Sequence, residues 1–189
     1  MVRRADYLGP MPHPALLIVT GASGAGKTTL VRGLEHCNLP GVRCHFFDSI
    51  GVPSPEEMVR QFGGGEQWQN AMTERWIARL ASETPSGSLA VLDGQVRPSV
   101  AMAAHRAAPQ LILDVLLVDC SQDAREHRLR GDRGQPELAT PDMAAWAAYL
   151  RGQADALSLP RLDTTDRTIE EGIAVLADHV TGLLARAAG

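Results

Sequence analysis

The segment Gly21-Ala22-Ser23-Gly24-Ala25-Gly26-Lys27-Thr28 places glycines, a lysine and a hydroxyl at the spacing G-x-x-x-x-G-K-T. Residues of these types at this spacing suit polyphosphate chemistry. Glycines permit a tight turn in which successive backbone N–H groups point inward at an anion. The positive end of a following helix adds favourable potential. The lysine supplies an ammonium to the β- and γ-phosphates of a nucleoside triphosphate, and the threonine hydroxyl can ligate Mg²⁺. Thr29 follows directly and joins the same nucleotide-binding set. Bound ATP and Mg²⁺ are the expectation.

Two carboxylates stand where such a loop would need them. Asp48 closes the run CHFFD and Asp93 closes LAVLD. Each follows an apolar stretch, so both are expected at the carboxyl edge of a sheet beside the loop. Phosphoryl transfer uses one carboxylate to orient the acceptor hydroxyl and take its proton, and another near the metal. Position assigns Asp48 to the acceptor and Asp93 to the metal. The roles can also be exchanged or shared, and either aspartate can instead cap the next turn.

The phosphate loop followed by Leu92-Asp93-Gly94-Gln95-Val96-Arg97-Pro98 resembles the nucleoside-monophosphate kinase group of P-loop kinases. In its adenylate-kinase-like members, a Leu-Asp-Gly run leads in four residues to an arginine that holds substrate phosphate. Arg97 stands at that offset, and the resemblance implies that it grips an anionic part of the acceptor. The Asp48 strand end is similar to that of shikimate- and gluconate-type kinases, which phosphorylate hydroxyls of small metabolites. In these families an arginine-bearing lid follows the fourth strand. Similarity makes Arg128 and Arg133 the lid cations, with Arg130 a close third. Arginine suits that task because its planar fork neutralises the moving phosphoryl charge through several hydrogen bonds. A solvated basic helix face, with Glu126 and Asp132 as partners, is the plainer alternative. The family also places the base against the connection after the fifth strand, here Thr164 and Thr165; helix capping by a hydroxyl or by Asp166 competes with that role.

These residues need a scaffold. Apolar, branched runs at 15–20, 42–47, 88–92, 111–118 and 160–162 read as strands of a parallel sheet, the first of them apolar on both faces. Helical periodicity follows the phosphate loop at 28–36. It recurs over 66–82 (Trp68, Met72, Trp76, Leu80), from Met143 to Leu157, and from Ile169 to Leu183. The expected architecture is a three-layer α/β/α fold with a five-stranded parallel sheet and an arginine-bearing lid. Residues 1–14 read as an N-terminal extension and 15–189 as one domain, with a substrate-side insertion at about 51–83 and a lid at about 125–141. Segment 51–65 reads as a break in the pattern, with two prolines and three consecutive glycines. The tryptophans read as core, with a pocket-lining position open for Trp68. Arg60, Gln61, Gln67, Asn70 and Arg75 are unranked candidates for the acceptor side.

Composition narrows the function classes. A net charge of −4 argues against a general nucleic-acid coat. No apolar run reaches membrane-span length, and the N-terminus lacks a signal-peptide core, so a cytoplasmic protein with free, buried thiols at Cys37, Cys44 and Cys120 is expected. The six histidines show no ligand spacing. A GTP switch would need N-K-x-D and a glycine where Val96 stands; neither is present. Two readings remain: an ATP-dependent phosphotransferase acting on a small acceptor (nucleotide, nucleoside or acidic metabolite), and an ATP-binding regulatory module or ATPase without one.

Overall fold

The structure, a computed structural model, describes residues 11–132 and 134–189. Arg133 and most of the expected N-terminal extension therefore lie outside the described residues. The order of elements is β1 (Ala15–Thr20), α1 (Lys27–His36), β2 (Val42–Phe46), a 3₁₀ turn (Phe47–Ile50), α2 (Pro55–Phe62), α3 (Gly65–Glu83), β3 (Leu89–Asp93), α4 (Pro98–His105), β4 (Ile112–Asp119), α5 (Gln122–Arg130), a second 3₁₀ turn (Pro136–Leu138), α6 (Pro141–Ala156), β5 (Arg161–Asp163) and α7 (Ile169–Ala188).

The five strands form one parallel sheet in the order β2-β3-β1-β4-β5. Every residue of β1 is buried, because helices cover both faces of the sheet. Leu17 and Val19 face α1 and α7 through Leu30, Val31, Leu34, Leu176, Val180 and Leu183. Leu16 and Ile18 face Trp68, Met72, Trp76, Ile77 and Leu80 of α3 and Ala101 of α4. Leu150 and Ala154 of α6 pack on Leu117. Trp68 and Trp76 are core residues, as their spacing implied.

β1 occupies the centre. The connection to β2 runs toward one edge, while that from β3 to β4 crosses to the other side. Loops at the carboxyl end consequently part around β1, which is where open α/β sheets receive ligands.

Three expectations change. Segment 51–65 contains a helix: Ser54 accepts from the Glu57 amide, Glu57 returns the bond to the Ser54 amide, and Pro55 occupies the first turn. This capping box and proline are a sequence-level start signal for α2. Pro98 likewise opens α4, an alanine-rich helix that sequence periodicity did not reveal. Among the cysteines, all unpaired, only Cys120 is buried; Cys37 is exposed and Cys44 is intermediate.

Candidate active site

The loop between β1 and α1 turns at glycines for steric reasons. A Cβ on Gly21 would lie 2.1 Å from the Val118 carbonyl oxygen. Gly24 has a φ of +81°, and a Cβ there would meet Arg125 Cγ at 2.8 Å and Leu129 Cγ at 3.0 Å. The loop is thus pressed between the end of β4 and α5. Gly26 is the N-cap of α1, and no side chain caps that helix. By contrast, Ser54, Ser121, Thr140 and Thr168 cap α2, α5, α6 and α7. An N-terminus with its first amides left to the loop is suited to an anion.

Lys27 is buried and its ammonium donates to the Ala22 carbonyl at 3.1 Å, folding across the loop. Thr28 Oγ1 donates to Asp93 Oδ2 at 2.5 Å, joining the helix start to the end of β3. Asp93 is 5% exposed, and its Oδ1 is buried with no hydrogen-bond partner. Burial pushes its carboxyl above the ordinary range, against the opposing pull of Lys27 and the Thr28 hydrogen bond; the Asp48 charge adds to the rise. A buried, unpartnered carboxylate oxygen beside a threonine hydroxyl is a donor set that fits Mg²⁺. That ion takes few protein oxygens and completes its shell with phosphates and water.

This corner opens into a cavity of about 420 Å³ lined by the loop, Thr28, Thr29, Arg32, Arg128, Asp132, Thr164, Arg167, Thr168 and Ile169. Thr164 is the tie across it. Its hydroxyl donates to the Ala25 carbonyl at 2.9 Å, and Arg128 donates to Thr164 Oγ1 at 2.9 Å and to Thr164 O at 2.6 Å. Arg128 is therefore a wall of the cavity, anchored at the start of the β5–α7 connection. Thr165 instead bonds Asp163 and the Ser121 amide, and Thr168, not Asp166, caps α7. Nothing in the sequence marks Arg167 or Ile169 as lining a cavity, because a charged and an apolar residue at a helix start carry no motif; Ile169 reads there only as the start of a helical stripe.

The remaining arginines separate. Arg125, three residues before Arg128 on α5, is 3% exposed and pairs with Asp119 at 2.8 Å, a carboxylate that Arg151 also reaches at 3.0 Å. It locks α5 and α6 to the end of β4. Arg130 is exposed and faces Glu126 at 3.8 Å. Asp48 does not end β2. It lies in the 3₁₀ turn beyond it, exposed, beside a buried Phe47 whose carbonyl accepts from Trp76 Nε1 at 3.3 Å. Phe47, expected as the last strand residue, opens this turn and packs against Gly94, where a Cβ would come within 2.7 Å of Phe47 Cβ.

Another hollow, about 300 Å³, lies between α3, the chain after β3 and α6. Buried Thr20 pins the chain after Asp93: its hydroxyl donates to Val96 O at 2.6 Å and accepts from Val96 N at 3.0 Å. This sets Gln95 to donate to Ser23 Oγ of the phosphate loop at 3.1 Å. It also sets Arg97, the N-cap of α4, in the hollow with Gln69, Glu66, Thr140, Asp142, Met143 and Trp146. Arg97 Nη1 donates to Gln69 Oε1, Nη2 lies 3.4 Å from Glu66 Oε2, and the guanidinium sits 4.8 Å from the Trp146 ring centre. None of Arg60, Gln61, Gln67, Asn70, Arg75 or Trp68 lines this hollow. Glu66 and Gln69 do, and only the orientation of α3 selects them.

No family model and no curated protein matches the chain. Solved structures do. Shikimate kinase from Acinetobacter baumannii, in complex with shikimate, superposes with a TM-score of 0.58 at 16% identity, over 90% of this chain and 94% of that one. A gluconokinase from Sinorhizobium meliloti gives 0.53 at 19% identity, over 94% and 95%. An unliganded sugar kinase from a Janibacter species gives 0.54 at 18% identity, over 94% and 99%. Likeness at these identities shows the fold alone, and the parallel α/β architecture of this chain is the one these three structures share.

Proposed function

We propose that the protein is a phosphotransferase that moves the γ-phosphoryl group of Mg·ATP to a hydroxyl of a small molecule. The observation that carries this is a cavity built on the phosphate loop together with a separate hollow around Arg97 that one hydrogen bond ties to that loop. The cavity runs from the uncapped start of α1 to Arg128 and Arg167, and the hydrogen bond joins Gln95 to Ser23.

In this reading the loop amides and Lys27 hold the β- and γ-phosphates. The base and ribose lie toward Thr164, Arg128, Arg167 and Ile169. Thr28 and Asp93 hold Mg²⁺, which would offset phosphate charge. The acceptor sits in the hollow around Arg97. Its hydroxyl oxygen bonds the γ-phosphorus as the bond to the β–γ bridging oxygen breaks, that electron pair leaving on ADP, and the hydroxyl proton passes to a carboxylate. Asp48 is the candidate for that proton, since it is exposed at the carboxyl edge and its charge is felt at Asp93. Arg128 steadies the nucleotide end. Arg133, in the segment between α5 and the second 3₁₀ turn, is the remaining candidate for the cation on the transferring group.

Calorimetry with Mg·AMP-PNP and acceptor-dependent ADP release test the proposal together. Lys27→Ala is expected to abolish both, with folding checked by circular dichroism. Nucleotide binding by a folded Lys27→Ala protein as tight as by the parent, or ADP release that no acceptor accelerates, refutes it.

A further inference from the structure

The Arg97 hollow carries a statement about acceptor charge, which rests on the phosphotransferase reading above. Sequence resemblance made Arg97 an anion grip. Arginine grips an acid or a phosphate by presenting paired N–H groups to two oxygens. Here Nη1 donates to Gln69 Oε1, Nη2 pairs at 3.4 Å with the exposed Glu66 carboxylate, and the guanidinium lies over Trp146. Its side chain is 14% exposed, so little of the fork faces the hollow. Among the described residues, Arg97 is also the only cation of the lining, against two carboxylates, Glu66 and Asp142. The lining of described residues therefore carries one more carboxylate than cation, which disfavours an incoming anion. What the hollow does offer is acceptors and amides: the Glu66 and Asp142 carboxylates, the Gln69 and Gln95 side chains and the Thr140 hydroxyl, beside apolar surface on Met143 and Trp146. This is the surface for hydroxyl and ammonium hydrogens.

We propose that the acceptor is an uncharged or cationic hydroxylated molecule, not an acid or a phosphate ester, and that Glu66 sets this choice by neutralising Arg97. Transfer to such an acceptor forms the same O–P bond, releases ADP, and sends the hydroxyl proton to a carboxylate.

Charge-matched acceptors test it: glucose, glucosamine and gluconate; inositol and shikimate; uridine and UMP. Each is assayed by ADP release with the parent and with Glu66→Gln, and Mg·AMP-PNP binding is measured on the same preparations. The expected result is turnover in the uncharged or amino set with kcat/KM at least about tenfold above the charged counterparts. Glu66→Gln should narrow that ratio by about tenfold, by raising turnover of the anionic members with nucleotide affinity unchanged. Glu66 is 61% exposed, so the substitution leaves packing intact. A preference of the parent for gluconate, shikimate or UMP overturns the proposal, as does a ratio that Glu66→Gln leaves unmoved. Nucleotide binding with silence across all sets removes this hollow as the acceptor site. Failure to bind Mg·AMP-PNP removes the phosphotransferase reading itself, which keeps the two failures distinct.

Discussion

Asp93→Asn should make the nucleotide-free protein more stable while disabling it. Asp93 is 5% exposed and one of its carboxylate oxygens has no partner. Leaving such an oxygen buried and unsatisfied costs about 1–3 kcal/mol. Asparagine keeps the shape and can still accept from Thr28, removes the charge, and leaves an amide group to satisfy, so recovery of about 1 kcal/mol is expected. For a chain of this length that is a rise in Tm of about 2–4 °C. The pH dependence supplies a sign. Burial raises the native carboxyl above its ordinary value of 3.8. The native state then holds a proton that the unfolded chain has already released. Wild-type stability therefore falls as pH rises from the ordinary value through the raised one, and stays low above it. The Asn variant escapes this loss, so its advantage is full at neutral pH and vanishes in acid. Scanning calorimetry without nucleotide, at about pH 4 and about pH 7.5, measures the difference. Saturating Mg·AMP-PNP should reverse the order, because only the wild type gains fully from ligation. An Asn variant that melts below the wild type at neutral pH, or whose advantage persists in acid, refutes the reasoning.

Other expectations follow from single contacts. Gly24→Ala forces a Cβ at φ +81° to within 2.8 Å of Arg125 Cγ, so a loss of about 2 kcal/mol and a nucleotide affinity lower by about tenfold are expected in urea melts and calorimetry. Arg125→Met leaves the Asp119 carboxylate with Arg151 alone and should cost about 3 kcal/mol of unfolding free energy, the low end for a broken buried pair; a neutral result would mean that the pair is dispensable. Thiol labelling should distinguish the cysteines at mildly alkaline pH. Exposed Cys37 reacts in the native state; Cys44, pushed up to about 11 by burial and then by the Glu35 charge, and buried Cys120, also raised, react only after denaturation.

Legibility in the sequence tracked the range of the interactions involved. The phosphate loop was readable because its chemistry is backbone chemistry over eight consecutive residues, and Gly21, Gly24 and Gly26 declare the turn they make. The strands were readable to within a residue at their ends; β1 and β3, buried throughout, leave continuous apolar runs, whereas β2 and β5 are partly exposed and shorter. α2 was missed although Ser54, Pro55 and Glu57 spell its start, because two prolines and three glycines nearby drew attention as breakers. α4 was missed because a short alanine-rich helix has little amphipathic contrast to detect.

The chain's own order of residues determined the sheet, the loop and the carboxylate at the end of β3, all products of local backbone preference and periodic burial. Only the tertiary structure decided that Arg125 is locked to Asp119 while Arg128 lines the cavity, that Asp48 stands on a turn held by Trp76, and that Arg97 meets Gln69 and Glu66. Each of these is a pairing between segments distant in sequence. Its energy depends on which helix face meets which strand end, and no spacing along one segment encodes that meeting.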